Sequence, residues 1–515
     1  MSAPPARKNY YSASAARRGL LQFALGKIVS AVLGLAFLAL SVRLLAPQSY
    51  GVYITLLAGA ELFYLVTGLG LSTVAQRYVA EYRLKAVAQD FTSFLRRQLR
   101  RRVYLSLAAL ALLLLAWEPA MSATGLGLGR SWMLPVGLLL LGWSGYCFLE
   151  EVMGACLLQG YSQTLAALRN VVRLLVVWYG AHQPSGLTLE LMVWAEALVT
   201  LASWLTAELL VMRWARRAPS AEGAVADFEA PDMDAVARRF YVVQLAGQAY
   251  GINITKMLVM RLLGAAQAAS FGVAQSIADI VRNYLPAHLL AGWVRPIMVA
   301  RYVKNRDLGE VALVVNLVLK VNLLGLLPLA AAFLVAGDEL GAWLSNGHYP
   351  KLGALLSVMM LGLVLQSLHL LLTMVALTLE SARASLRATF AACLALPVLV
   401  LLVWQMGIMG AALAMLVTEL IWISVAWYTL AGQGHRLHLD LLGWAKIAAA
   451  AIGGAGLGWW CKSSGLGGPG APGTILAALA ALGLGFAALV WILRPQREGE
   501  VLLVRQLLKG GNNKS

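Results

Sequence analysis

The sequence predicts an all-α polytopic membrane protein with about 14 transmembrane helices. Three observations lead there: a composition too apolar for water, apolar runs of spanning length repeated along the chain, and positive charge concentrated in alternate connections. Of 515 residues, 60% are hydrophobic and only 13% charged, and the mean hydropathy is +0.73. So few charges cannot cover a water-facing surface, which excludes a pair of soluble domains.

Crossing about 30 Å of hydrocarbon takes about 20 apolar residues. Runs of this kind lie near 20–42, 52–75, 103–118, 132–158, 163–181, 188–212, 240–262, 268–292, 308–336, 352–379, 388–406, 408–431, 441–461 and 473–493. The residues before the first run are polar and basic; the run itself is too long for a signal-peptide core and is expected to stay as the first span. With a cytoplasmic N-terminus, 29 of the 41 Lys and Arg fall in cytoplasmic segments, 5 in outer connections (Arg261 counted there) and 7 within spans. That asymmetry puts both termini in the cytoplasm and explains most of the net charge of +17 without a nucleic acid or other anionic partner. Residues 77–102 interleave their cations with Val79, Leu84, Val87, Phe91, Phe94 and Leu95, the pattern of an amphipathic helix lying along an anionic inner leaflet.

Composition shifts divide the chain further. Residues 1–19 form a cytoplasmic tail and 20–212 an N-lobe of six spans. Residues 213–239, with Pro219, Pro231, Glu222, Asp227, Glu229, Asp232 and Asp234, form a cytoplasmic linker. Residues 240–431 form a C-lobe holding spans seven to twelve, 432–493 hold the last two spans, and 494–515 form a cytoplasmic tail. Arg43-Leu44-Leu45-Ala46 followed by Ser49-Tyr50-Gly51-Val52 recurs as Arg261-Leu262-Leu263-Gly264 followed by Ser270-Phe271-Gly272-Val273. Both copies fall at the turn between the first two helices of a lobe. Six helices per unit make the repeats parallel, related by a pseudo-twofold axis along the membrane normal.

The stretch 43–81, with its Arg-Leu-Leu-Ala-Pro-x-x-Tyr-Gly turn, Gly68-Leu69-Gly70 and Arg77-Tyr78-Val79-Ala80-Glu81, resembles the polysaccharide-biosynthesis (Wzx-type) flippases of the multidrug/oligosaccharidyl-lipid/polysaccharide exporter superfamily. The resemblance is specific over 20–85 and only architectural for the last two spans. It implies two six-helix lobes around a central cavity open alternately to either side, through which an undecaprenyl-diphosphate-linked oligosaccharide passes across a bacterial inner membrane. It implies no catalytic motif, and as partners the lipid-linked oligosaccharide, membrane lipids and polysaccharide polymerase or export machinery. Fold alone does not choose the cargo, since drug exporters share the architecture.

An ionisable group in hydrocarbon costs several kcal/mol unless paired or hydrated, so each in-span charge marks either the pathway or an ion pair. The cations are Lys27, Arg169, Arg173, Lys256, Arg282, Lys320 and Lys446; the acids are Glu61, Glu150, Glu151, Glu196, Glu208, Asp279 and Glu419. Arg169 and Arg173 share one face, about 9 and 15 Å into span five, level with Glu150 and Glu151 on span four. Neutralisation among these four and phosphate binding are both open to them. Lys27, about 10 Å into the first span, meets no acid at its level on span two, where Glu61 is nearer the midplane. Together with the cavity-lining role that the resemblance gives the first helices, this makes Lys27 the expected catch for the diphosphate, against simple snorkelling.

On span eight, Pro286 cannot donate the helical bond to the Arg282 carbonyl, so a kink and a freed acceptor are expected there, with Asp279 one turn back as a partner for Arg282. Lys256 is expected within reach of Asp279. Glu61 and Asp279 are candidates for coupling to H+ or Na+. His288 and His369 lie in apolar spans without a metal-ligand partner at helical spacing, and His369 is expected to pack. Cys147, Cys156, Cys393 and Cys461 show neither CxxC spacing nor a nearby His, so neither a disulfide framework nor a metal site is expected, and no cofactor. The glycines of 453–458 and 465–473 suit close helix packing. A membrane glycan polymerase or ligase would need a sizeable outer loop; the longest here, 337–351, carries only Asp338, Glu339 and His348, so an enzyme is not expected. The stronger rival is a drug or metabolite exporter of the same architecture.

Overall fold

The computed structural model describes residues 13–217, 220, 224–226, 228, 233–289, 298, 302, 308–379, 381–435, 437–464, 472–497 and 499–500. Outside these lie most of the N-terminal tail, Pro219, Pro231, Glu222, Asp227, Glu229 and Asp232 of the linker, residues 465–471 of the glycine-rich connection and the tail from 501 onward. The described chain is helical, and its contacts divide it into two compact units, Met1–Ala269 and Ser270–Ser515. Among the described residues ten helices are long and apolar enough to cross a membrane, or eleven if one pair bent by 84° is a single span.

The first unit contains α1 Ala13–Leu44, α2 Pro47–Thr67, α3 Leu71–Lys85, α4 Ala88–Leu115, α5 Trp117–Thr124, α6 Met133–Ala155, α7 Gln159–Ala181, α8 Leu189–Arg217, α9 Met233–Ala249 and α10 Ile252–Leu263. The boundary falls within α11, Ala265–Tyr284. Helix α6 is central, packed on α2, α3, α4 and α8, while α1 lies along α7. The cationic block 77–102 departs from the expectation of a leaflet-lying helix. It is split between α3 and the first half of α4, and Val79, Phe91, Phe94 and Leu95 are buried in one core with Phe148, Val152 and Val211. Helix α4 then runs on to Leu115 and bends into α5. Most of the apolar face of the block is used in protein packing, and of its six apolar residues Leu84 stays exposed.

Both copies of the recurring motif sit on helix-to-helix turns, α1 to α2 and α10 to α11. The two turns also touch. A Cβ on Gly51 would lie 1.9 Å from the Ala265 carbonyl oxygen, so only glycine permits this approach. The expected span 240–262 is interrupted at Tyr250 and Gly251 into α9 and α10.

In the second unit, α11 is followed by α12 Pro286–Leu289, α13 Leu308–Leu344, α14 Gly353–Thr378, α15 Ala382–Cys393, α16 Ala395–Gly432, α17 Leu441–Ser463 and α18 Pro472–Leu493. The near-continuous helical run from Arg383 to Gly432 is 50 residues long, about 75 Å if straight. It is not straight: Gly407, at φ 60° and ψ −138°, reverses it. A Cβ on Gly410 would lie 1.9 Å from the Leu402 carbonyl oxygen. Trp422 Nε1 donates to Thr389 Oγ1 at 3.3 Å and Ser381 Oγ to Gln433 Oε1 at 2.6 Å, partners 33 and 52 residues apart. The run is therefore an antiparallel hairpin whose two arms match the sequence's runs at 388–406 and 408–431.

A buried charge cluster fastens the last two helices to α13. Lys320 Nζ lies 2.5 Å from Asp440 and 2.7 Å from Glu500, and donates to the Pro495 carbonyl at 2.8 Å. Arg497 adds a second contact to Asp440 at 2.7 Å, and Asp440 caps α17 through the Gly443 amide. Burial opposes the charged form of Asp440. Lys320, the Gly443 amide and Arg497 outweigh it and hold the carboxyl below its ordinary range. Its stabilisation is therefore complete above the unfolded-state value of about 4 and is lost only as pH falls through the lower folded value.

Lys320→Met should lower the unfolding free energy by about 3–5 kcal/mol, because two buried carboxylates lose their shared cation. Denaturation of the detergent-solubilised protein measures it, with faster proteolysis after Leu493 as the local sign. Gly410→Leu should cost at least about 1–3 kcal/mol by forcing the hairpin arms apart, read as a lower thermal midpoint.

Candidate functional site

Helices α2, α6 and α7 line an open cavity of about 400 Å³ in the first unit, bordered by Glu61, Tyr64, Trp143, Tyr146, Cys147, Glu150, Glu151 and Arg169. The apolar run of α6 explains its wall. A helix this apolar is buried on most sides, and its two carboxylates, Glu150 and Glu151, stand with Cys147 where it borders the cavity. Trp143 Nε1 donates to Glu61 Oε2 at 2.9 Å. The Arg169 guanidinium stacks over the Tyr146 ring at 4.3 Å and the Trp143 ring at 5.5 Å.

Behind this wall lies a buried ion pair. Arg173 Nε donates to Glu196 Oε2 at 2.8 Å, and Arg173 Nη2 makes a second, very short contact to Glu196 Oε1. Tyr53 donates to Glu196 at 3.1 Å, and Arg169 stands 3.6 Å away. The carboxylate is thus shared by α2, α7 and α8, with only 2% of its side chain exposed. Arg173 also donates to Asn170 Oδ1, whose amide reaches the Ser30 carbonyl on α1.

The arrangement settles several expectations. Arg169 and Arg173 are matched chiefly by Glu196 on the sixth span, 23 residues along the chain from Arg173, rather than by the Glu150 and Glu151 pair of the fourth. Arg169 keeps a secondary electrostatic link to Glu150. Lys27 has an acid after all: Glu150 of α6, not a residue of α2, is close enough for the charges to interact. The Arg173 and Glu196 pair joins the consecutive helices α7 and α8 at similar distances from their turn, so spacing in that hairpin carried its signal; Lys27 and Glu150 join α1 to α6, which spacing within one hairpin could not reveal. Glu61 and Arg169 share the cavity, with Arg173 just behind.

Lys256 lies on α10 in the first unit. In the second, Asp279 is 2.9 Å from Arg282 and accepts from Gln275 at 3.0 Å, so the i, i+3 pairing holds. Helix α11 ends at Tyr284 and α12 restarts at Pro286, the break the proline demanded. The Arg282 carbonyl is not left free: the Leu285 amide donates to it at 3.2 Å.

Sequence reasoning missed Arg102, placed at the edge of a span and found buried. Its Nε donates to Ser144 at 2.9 Å and Nη2 to the Tyr64 carbonyl at 2.8 Å, and Glu151 lies within electrostatic reach. Its signal was the continuous helical pattern of α4 through the cationic block. The cavity's carboxylates outnumber its cations, and its three aromatic rings give flat apolar faces. Such a set accepts hydrogen bonds from hydroxyls, stacks on sugar rings and attracts cations. Among the described residues no group of His, Cys, Asp and Glu is placed to hold a metal ion.

Arg173→Met should cost roughly 3–5 kcal/mol of stability by stranding Glu196. Arg169→Met should cost less, about 1–2 kcal/mol, the size of a desolvated cation–π contact. Equal losses in denaturant titration would contradict the primacy of the Arg173 pair.

No protein-family model matches the chain, and no curated protein sequence matches it. Solved structures do match in fold. The structure titled lipid II flippase MurJ, inward closed conformation, superposes with a TM-score of 0.68 at 12% identity, covering 92% of this chain and 98% of that one. An inward-facing multidrug resistance MATE family transporter of the MOP superfamily gives 0.57 at 14% identity, over 80% and 98%. The MATE multidrug transporter DinF-BH gives 0.56 at 14%, over 84% and 98%. The chain is a multi-pass, all-helical membrane protein with the fold these flippase and transporter structures share.

Proposed function

We propose that the protein is a flippase that carries an undecaprenyl-diphosphate-linked oligosaccharide from the inner to the outer leaflet of a bacterial inner membrane by alternating access. The observation that carries this reading is the fold similarity to the lipid II flippase over 92% of the chain, joined to the resemblance of residues 43–81 to polysaccharide-biosynthesis flippases. The cavity chemistry agrees with it. Tyr64, Trp143 and Tyr146 offer stacking faces for sugar rings, and Glu61, Glu150 and Glu151 accept from hydroxyls. In this reading Lys27 and Arg169 meet the diphosphate in the first unit, with Arg173 beside them on the path and Glu196 holding both arginines in place, and Arg282 and Lys256 serve later on the path. Both termini are cytoplasmic, and polymerase or export machinery takes the product. The protein catalyses no covalent step.

A second reading has its own support. A cavity with three carboxylates and three aromatic rings suits an organic cation, which would make the protein a drug or metabolite exporter like the MATE structures of the same fold.

Purified protein in sealed proteoliposomes separates the two. Translocation of a fluorescent polyprenyl-diphosphate oligosaccharide is expected, reduced roughly tenfold, equivalent to 1.4 kcal/mol, by Lys27→Ala and by Arg282→Ala at unchanged protein level. Export of a cationic dye with no movement of the lipid would replace the first reading by the second.

A further inference from the structure

Far from the first-unit cavity in sequence, the second unit holds a titratable pair inside apolar helices. His369 on α14 and Glu419 on the returning arm of α16 meet at 2.7 Å between Nδ1 and Oε2. The imidazole stacks on Trp422, one turn beyond Glu419, with ring centroids 3.5 Å apart and planes 16° from parallel. Trp422 is itself fixed to Thr389 on the other hairpin arm. The two side chains are 27% and 15% exposed. Imidazole, carboxylate and indole therefore come from two helices, and the hairpin at Gly407 sets their register.

We propose that His369 and Glu419 form a one-proton site that takes up and releases a proton during transport. With the histidine neutral and the glutamate ionised, the pair carries one net negative charge inside apolar surroundings. One proton from water, added to the pair, forms either imidazolium with carboxylate or imidazole with carboxylic acid. Both forms are neutral, and the Nδ1 to Oε2 hydrogen bond persists in each. Hydrocarbon favours the neutral forms, while hydration of the site favours release. A conformational change that alters access of water to the pair thus exchanges one proton without rearranging its partners.

Neighbouring charges are accounted for. On α13, the register set by the Ser357 bond to the Ala330 carbonyl and by the Gly337–Gly353 contact puts Lys320 near the level of His369. Its ammonium is committed to Asp440 and Glu500. His288 lies on α12 beside Ala287, which is bonded to Asn322 of α13. On α15, the hairpin register places Cys393 near the level of Glu419 and Arg387 more than one turn toward Gln433. Asp338 and Glu339 stand at the far end of α13, where Asp338 accepts from the Gly353 amide.

The proposal rests on the transporter reading for its purpose but not for its existence, and two measurements keep the two apart. Full-length protein with 15N-labelled histidines in nanodiscs gives six imidazole environments; His369 is assigned by its loss in His369→Gln. Its signal should change protonation state between pH 5 and 9, and Glu419→Gln should move that transition. A His369 signal constant across this range and unaffected by Glu419→Gln would overturn the proposal, leaving a static hydrogen bond. In proteoliposomes the proton site predicts that lipid or dye transport responds at least threefold to a pH gradient, and that Glu419→Gln removes the response while transport without a gradient persists. Transport that proceeds in the wild type with no response to the gradient would reject coupling and leave the flippase reading intact. Titration of His369 with no transport of either probe would sink the flippase reading and keep the proton site.

Discussion

Glu196 is the point on which the first unit turns. A carboxylate this deeply buried would be ruinous alone, and it is tolerated because Arg173 grips it with two contacts while Tyr53 and Arg169 close around it. The three helices that supply these groups are thereby held in one register. The cavity follows from that register, since fixing α7 places Arg169 against Tyr146 and Trp143, and α2 brings Glu61 to the same wall. Charge neutralisation comes first, and the cavity is built on its edge.

The second unit solves the same problem by different means. Lys320 gathers Asp440, Glu500 and a backbone carbonyl, so the start of α17 and the segment after α18 are tied to α13 by charge rather than by shape alone. Close packing of small residues adds to it: a Cβ on Gly454 would lie 2.9 Å from the Leu482 carbonyl and one on Gly458 2.9 Å from that of Ala478. The reversal at Gly407 sets two helix arms side by side and, with them, the faces carrying Glu419 and Trp422.

Much of this was legible in the sequence, for identifiable reasons. Hydropathy found most of the long helices because lipid imposes a length on them, including the two arms of the Gly407 hairpin, although ten or eleven of the described helices, not about fourteen, have spanning length and hydropathy. The Asp279 to Arg282 pair and the break at Pro286 are local, separated by three or four residues, and were readable for that reason. Pairings across the bundle were not. Glu150 with Lys27 and Glu419 with His369 depend on which helices become neighbours, and one sequence carries no direct signal of that; Glu196 with Arg173 joins consecutive helices and was passed over in favour of the acids of the preceding hairpin. Arg102 was overlooked because a dense run of arginines looks like a solvated face, whereas one of its members points inward.

The central claim is that the first-unit cavity receives the headgroup of a lipid-linked glycan, and Cys147 on its wall offers a direct probe. The measurement is the rate at which a small methanethiosulfonate reagent modifies Cys147 in protein whose Cys156, Cys393 and Cys461 are replaced by serine. A polyprenyl-diphosphate oligosaccharide should slow modification severalfold, and polyprenyl phosphate without sugar should not. An unchanged rate at saturating glycolipid, with protection by a cationic dye instead, would contradict the account.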